Sequence, residues 1–197
     1  MNYLCRNSRK SFHRSIDCSN MEIYFIRHTS VAVPKGTCYG KTDVELSDTF
    51  EQEASVTRKT IEGVTFDKVY TSPLTRAVKL ASYCGFPNAE KDARLMELDF
   101  GEWEMKNYDQ LYQSDPRFLV WSNNYLTEHT PGGECVMDQY QRVQEFIQDA
   151  KSLGFKRIAA FCHGGILALA LAIAGRVELE NAFSNVPPFG SVIQVEV

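Results

Sequence analysis

No stretch of the 197-residue sequence stays apolar for the roughly 20 residues that a membrane-spanning helix needs, which excludes a helical transmembrane protein. Positive charge is not in excess either. Lys and Arg number 21 against 25 Asp and Glu, a formal net charge of −4. Such a chain lacks the general basic footprint of a nucleic-acid or anionic-lipid binder, so an anionic ligand must be held by a few locally placed cations. The six cysteines form no Cys-x-x-Cys pair, and a chain of this size does not need disulfide staples. Free thiols in a reducing cytoplasm are the expected state. There is no internal repeat and no low-complexity segment. What is present is ordinary for a globular fold: 44% hydrophobic and 23% charged residues, which excludes a disordered or collagen-like chain and fits one domain.

Residues Met1 to Asn20 are set apart. Arg6, Arg9, Lys10 and Arg14 face only Asp17, and the segment has no apolar periodicity of either kind. A secretory signal needs an apolar run after its charges, and none follows. The composition admits a weakly amphipathic presequence. The simpler expectation is a tail outside the fold, either disordered or an upstream start. Met21, directly before Glu22-Ile23-Tyr24-Phe25-Ile26, then opens a single domain over residues 21–197.

Ile23 to Ile26 reads as a short buried strand, and Thr29 to Asp43 as a long loop broken by Pro34, Gly36 and Gly40. Ser47 as N-cap predicts a helix to about Ile61 with Phe50, Ala54, Val56 and Ile61 on its apolar face. Asp67 to Thr71 is a second strand with Val69 buried. Pro73, at a first helical position, opens a helix to Tyr83 that Gly85 closes. Arg94 to Phe100 is irregular and partly extended. Lys106 to Thr130 is aromatic-rich and helical in pieces, and Pro131-Gly132-Gly133 is a tight turn. A helix over Glu134 to Ser152, a buried strand over Arg157 to Cys162 and a nearly all-apolar helix over Ile166 to Ala174 follow. A short helix over Glu178 to Phe183 and a strand over Val192 to Val197 end the chain. Strands alternating with helices predict an α/β fold, a three-layer α/β/α arrangement around a mainly parallel sheet.

Several familiar chemistries fail on spacing. Gly36-Thr37-Cys38-Tyr39-Gly40-Lys41-Thr42 has three residues between its glycines where a phosphate loop needs four. A cysteine phosphatase needs His-Cys with Arg five residues on, whereas the order here is Cys162-His163 and Ala168 stands at the Arg position. There is no Gly-x-Ser-x-Gly elbow. The histidines (His13, His28, His129 and His163) include no pair at helical metal spacing, so no metal is expected; His129 reads as a loop residue.

One constellation holds. Arg27-His28 follows a buried strand, and His163 follows another, just before a helix N-terminus at Gly164 whose free N–H groups suit a phosphate. Arg76 lies in the first turn of the helix after the strand ending near Thr71, and Glu97 lies in another strand-end segment. In parallel sheets ligands bind at the carboxyl ends of strands, so two guanidiniums, two imidazoles and one carboxyl can converge on one anion. Phosphoryl transfer needs those types. Arginines bind the equatorial oxygens bidentately, and a neutral imidazole attacks phosphorus to form a phosphohistidine. A second, protonated imidazole adds a donor, and a carboxylic acid protonates the leaving oxygen and then takes a proton from water. Singly, each residue is as well explained as a cap, a solvated charge or a satisfied histidine; the set is what carries the chemistry.

These residues resemble the histidine phosphatase superfamily, the phosphoglycerate-mutase-like fold, from Glu22 to Val197. The likeness runs through strand-Arg27-His28, Thr71-Ser72-Pro73-Leu74-Thr75-Arg76-Ala77, Glu97-Leu98-Asp99-Phe100-Gly101-Glu102-Trp103-Glu104 and Cys162-His163-Gly164-Gly165, in that order. The resemblance implies His28 as nucleophile, Glu97 as acid/base, Arg27, Arg76 and His163 around the phosphate, and no cofactor. Within the superfamily, Tyr39-Gly40-Lys41-Thr42-Asp43-Val44-Glu45-Leu46-Ser47 and Pro131-Gly132-Gly133-Glu134 look like alpha-ribazole phosphatases. Those enzymes remove a 5′-phosphate during assembly of the cobalamin nucleotide loop. General phosphomonoesterases have similar loops. Relative to the cofactor-dependent mutases, the tract between Glu97 and His163 is short, which favours hydrolysis over isomerisation. The chain departs from the family after the nucleophile. Thr29 replaces a glycine, Val31 stands at a hydroxyl position and Pro34 at an Asn position, leaving Thr29 or Ser30 to supply a substitute hydroxyl.

The expected partner is thus a small phosphomonoester, with no nucleic acid and no membrane; the oligomeric state stays open, a homodimer included. Alternatives are a broad-specificity phosphatase, a phosphoglycerate mutase and a non-catalytic phospho-ligand binder. The aromatic segment Tyr108 to Tyr125, Trp121 within it, is expected to wall the leaving group, against the plainer reading of core aromatics.

Overall fold

The computed structural model describes residues 20–197, so the tail reading lies, but for Asn20, outside the described residues. Strands β1 (Glu22–Arg27), β2 (Lys68–Thr71), β3 (Glu90–Lys91), β4 (Arg157–Cys162) and β5 (Val192–Glu196) form one sheet in the order β3-β2-β4-β1-β5. All neighbours run parallel except β5, which closes one edge antiparallel to β1. The helices are α1 (Phe50–Thr60), α2 (Thr75–Tyr83), α3 (Tyr108–Ser114), α4 (Pro116–Asn124), α5 (Val136–Ser152) and α6 (Gly164–Ile173).

Alternation along β4 makes the layers. Ile158, Ala160 and Cys162 pack with Val143, Phe146 and Ile147 of α5 and Ile166 and Leu167 of α6. Ala159 and Phe161 point the other way, onto Ala54 of α1 and Ala77 and Leu80 of α2. The α/β/α sandwich is therefore as expected. Helix α6 is apolar all round because residues Gly164 to Ala170 are all buried.

Local differences have local causes. Helix α1 starts at Phe50, since Ser47 accepts from the Phe50 N–H in a preceding turn (3.1 Å). Val56 is 61% exposed, because two residues from Ala54 is more than half a helical turn; Thr57 takes the inward place and donates to the Gly190 carbonyl (2.7 Å). Pro73 precedes α2, whose N-cap is Leu74, and the Asp43 carboxylate accepts the Thr75 N–H from across the loop (2.9 Å). In β2 the buried residues are Tyr70 and Thr71, with Val69 half-buried. Helix α5 begins at Val136 behind a Cys135–Asp138 capping box, α6 begins two residues earlier than expected, and the short helix is a 3-10 turn over Leu179–Asn185.

The aromatic segment spends itself on a satellite core. Trp103, Leu111 and Phe118 are buried there with Cys38, and Trp121 meets Phe118 (5.5 Å between centroids), Trp103 (5.6 Å) and Phe100 (6.0 Å). Trp121 thus packs against this cluster, in keeping with the plainer expectation of core aromatics.

Candidate active site

Three consecutive strands of the sheet, β2, β4 and β1, end side by side. Neighbouring strands lie about 4.8 Å apart, so whatever follows them is brought within one ligand's reach. Register does the rest. Arg27 pairs with Cys162, hence the next residues, His28 and His163, stand together, ring centroids 5.2 Å apart. Thr71 of β2 pairs with Phe161 of β4, which sets Ser72 and the first turn of α2 beside them.

His28 is buried, and its Nδ1 lies 2.7 Å from the Thr29 carbonyl. A carbonyl can only accept, so Nδ1 carries the proton and Nε2 keeps its lone pair. Burial first, and then the charge of Arg76, push the imidazole pKa from 6.5 down to about 3, outweighing the bond to Thr29. The ring is neutral, with an unprotonated Nε2.

Arg76 is fully buried and its guanidinium is fixed on three sides. Its Nη1 donates to the Thr42 carbonyl (2.8 Å), Nη2 to the Gly40 carbonyl, and Nε to Nδ1 of His163 (3.3 Å). Of five N–H bonds, one on each amino group remains for a ligand. Since Nδ1 of His163 accepts, its Nε2 carries the proton and meets the Ser72 hydroxyl (2.8 Å). Burial, with Arg76 next, holds the His163 pKa well below its ordinary value. The second imidazole is therefore neutral here, not protonated as expected.

Both depressed histidines tie stability to pH. Between the unfolded value near 6.5 and the folded ones, the unfolded chain binds more protons. Stability is complete above pH 6.5 and falls below it, by about 1.4 kcal/mol per pH unit for each imidazole. Urea unfolding across this window should show that slope, and His28→Asn should remove about half of it. An unchanged slope in the variant would contradict the assignment.

Arg27 donates through Nη1 to the Pro187 carbonyl and lies under the Phe189 ring (4.0 Å), while its buried Nε–H has no partner. The Thr29 hydroxyl is likewise buried without a partner, whereas the Ser30 N–H is engaged by Glu53 (2.9 Å). Of the two candidate hydroxyls, that of Thr29 is the one buried without a partner. The Glu97 carboxyl accepts from Gln139 Nε2 (2.9 Å) and its neighbour's N–H, Leu98 (3.1 Å), at Oε1, and from the Gly165 N–H (3.0 Å) at Oε2. The two glycines of α6 are spacers. A Cβ on Gly164 would come within 2.9 Å of the Arg27 guanidinium carbon, and one on Gly165 within 2.3 Å of Glu97 Oε1. Both candidate groups thus lie against the start of α6, and all five expected residues are brought together.

Others were not foreseen. Gln139 is completely buried beside Glu97. Arg142 donates to the carbonyls of Arg94, Met96 and Glu97 and pairs with Glu134, pinning the Glu97 segment to α5. The Glu104 carboxylate accepts the N–H groups of Gly40, Lys41 and Thr42, fixing the loop whose carbonyls hold Arg76. Tyr39 lies under Arg76, 5.5 Å from its guanidinium carbon. Of these, Glu104 and Tyr39 lie in blocks that carry the family likeness in sequence, whereas Gln139 and Arg142 lie in none. For a metal, the described residues offer one group, His129, Cys135 and Asp138, with ligand atoms within 4.8 Å of one another. Asp138 is already bound to the Cys135 N–H (3.0 Å) and to His129 (2.8 Å), and none of the three belongs to the site above.

Residues 23–197 match the model of the histidine phosphatase superfamily (branch 1). The chain belongs to this superfamily. It is 28% identical over 167 residues to a protein assigned as a phosphoserine phosphatase in Hydrogenobacter thermophilus, covering 82% of each chain. It is 29% identical over 159 residues to the adenosylcobalamin/alpha-ribazole phosphatase of Escherichia coli (strain K12), covering 77% of this chain and 78% of that one. The alpha-ribazole phosphatase structure from Shigella flexneri superposes with a TM-score of 0.79 at 24% identity, over 88% and 89% of the two chains, a likeness of fold. This histidine phosphatase is an enzyme of the phosphatase class with the phosphoglycerate-mutase-like fold. Among its described residues no helix is long and apolar enough to cross a membrane.

Proposed function

We propose that this chain hydrolyses phosphomonoesters through a phosphohistidine at His28, and that its substrate is alpha-ribazole 5′-phosphate. The observation that carries the mechanism is the tautomer of His28: a neutral ring whose free Nε2 sits among two guanidiniums. Arg27, Arg76 and the Thr29 hydroxyl bind the phosphoryl oxygens. Nε2 attacks, the N–P bond forms and the P–O bond to the alcohol breaks, while Glu97 gives its proton to the departing oxygen. Oε2, with one donor against two on Oε1, is the oxygen free to carry that proton. Water then attacks phosphorus, its proton returns to Glu97 and the N–P bond breaks. His163 holds Arg76 and exchanges its Ser72 contact for a phosphoryl oxygen.

The substrate rests on the loop blocks and on the Escherichia coli relative. The Hydrogenobacter relative favours a second reading, a small phosphomonoester such as phosphoserine. Steady-state rates on alpha-ribazole 5′-phosphate, O-phosphoserine, mononucleotides, sugar phosphates and 3-phosphoglycerate decide between them. The highest kcat/KM on alpha-ribazole 5′-phosphate is expected; phosphate transfer to a mutase product without net release would overturn hydrolysis.

The two guanidiniums supply the charge that a metal gives elsewhere. Activity should therefore be unchanged by a chelator. A loss of about tenfold or more, restored by one divalent metal, would refute this mechanism.

A further inference from the structure

We propose that Gln139 is a positioning residue for Glu97, its side-chain amide keeping the carboxyl turned so that Oε2 can exchange a proton with the leaving oxygen; this rests on Glu97 being the acid. Gln139 lies on α5, fully buried, at a position where the helix otherwise presents Val136, Val143, Phe146 and Ile147 to the interior. An amide in such a row is costly unless it is used. Its Nε2 donates to Glu97 Oε1 (2.9 Å), and its own Oε1 is buried without a partner. A half-satisfied amide is a poor choice for stability alone, because an apolar side chain of the same length would carry no unpaired acceptor and would still leave Glu97 Oε1 its bond from the Leu98 N–H. The cleft is cut for this contact. A Cβ on Gly165 would stand 2.3 Å from Glu97 Oε1 and 3.1 Å from Gln139 Oε1, so only glycine lets helix, carboxyl and amide meet.

The amide also suits a group that changes protonation twice per turnover. Its N–H donates to Oε1, an oxygen that carries no proton whether Oε2 is protonated or not, so one contact holds both states. Gln139 itself gains and loses no proton.

The test compares Gln139→Met and Gln139→Leu with Glu97→Gln on two substrates, an alkyl phosphate whose alkoxide must be protonated to leave and 4-nitrophenyl phosphate, which leaves unaided. Glu97→Gln should slow the alkyl ester by about 10²–10⁴-fold and the aryl ester far less. Both Gln139 variants should show the same bias in milder form, about tenfold on the alkyl ester with near-normal aryl turnover, and an altered pH profile on the alkyl ester only. Their melting temperatures should be equal to or above that of the parent. Equal losses on both esters, or a lower melting temperature with no alkyl bias, would make Gln139 a structural residue and overturn the proposal. If Glu97→Gln itself shows no alkyl bias, the reading of Glu97 as acid is what fails. If either Gln139 variant is insoluble, the other carries the comparison.

Discussion

His28→Ala should abolish turnover, a loss on the order of 10⁵–10⁶-fold by analogy with deleting a covalent nucleophile, and leave no trapped phosphate. In the parent, rapid quench should give an acid-labile, base-stable phosphoryl adduct on His28. The expectation follows from one hydrogen bond. The Thr29 carbonyl commits Nδ1–H, so Nε2 has a lone pair and nothing else to do. His163 is committed at both nitrogens, accepting from Arg76 and meeting Ser72. His163→Ala should therefore still form the adduct, with turnover reduced roughly 10²–10³-fold, the usual cost of losing one donor to a developing charge. Phosphate trapped on His163, or an adduct surviving in His28→Ala, would reverse the two roles.

Arg76→Lys keeps the charge and loses the fork. An ammonium cannot hold the Gly40 and Thr42 carbonyls and His163 while offering two further N–H groups. Turnover should fall by about 10³-fold, within the range seen for arginines that stabilise phosphoryl transfer. Stability should fall as well, by about 1–3 kcal/mol for a carbonyl left unpaired. Steady-state kinetics and urea unfolding on the same preparation check both. Activity within about tenfold of the parent would mean that Arg76 serves the loop at residues 40–42 and not the phosphate.

Much of the site was legible because its chemistry sits next to strong local signals. Arg27, His28 and His163 each follow a short apolar strand, and Arg76 follows a strand and a proline. What sequence misjudged were cases where several local solutions were open. Val56 and Thr57 compete for one inward position, and the hydroxyl wins by reaching Gly190, 133 residues away. His163 looked like a cationic donor until Arg76, 87 residues away, was found donating to it.

By itself, then, the sequence determined the alternation of strands and helices, the family blocks, and the five candidate side chains, since periodicity and short motifs are written in neighbouring residues; Glu97, expected at a strand end, instead follows a 3-10 turn over Ala93–Leu95. The order β3-β2-β4-β1-β5, which sets three strand ends side by side, was decided only in three dimensions. So were the neutral state of His163, the free hydroxyl of Thr29, the spacing role of Gly164 and Gly165, and the amide of Gln139 on a carboxyl 42 residues away. The physical reason is common to all of them. Desolvation, tautomer and close approach depend on which groups surround an atom, and those groups come from segments whose separation along the chain leaves no local pattern.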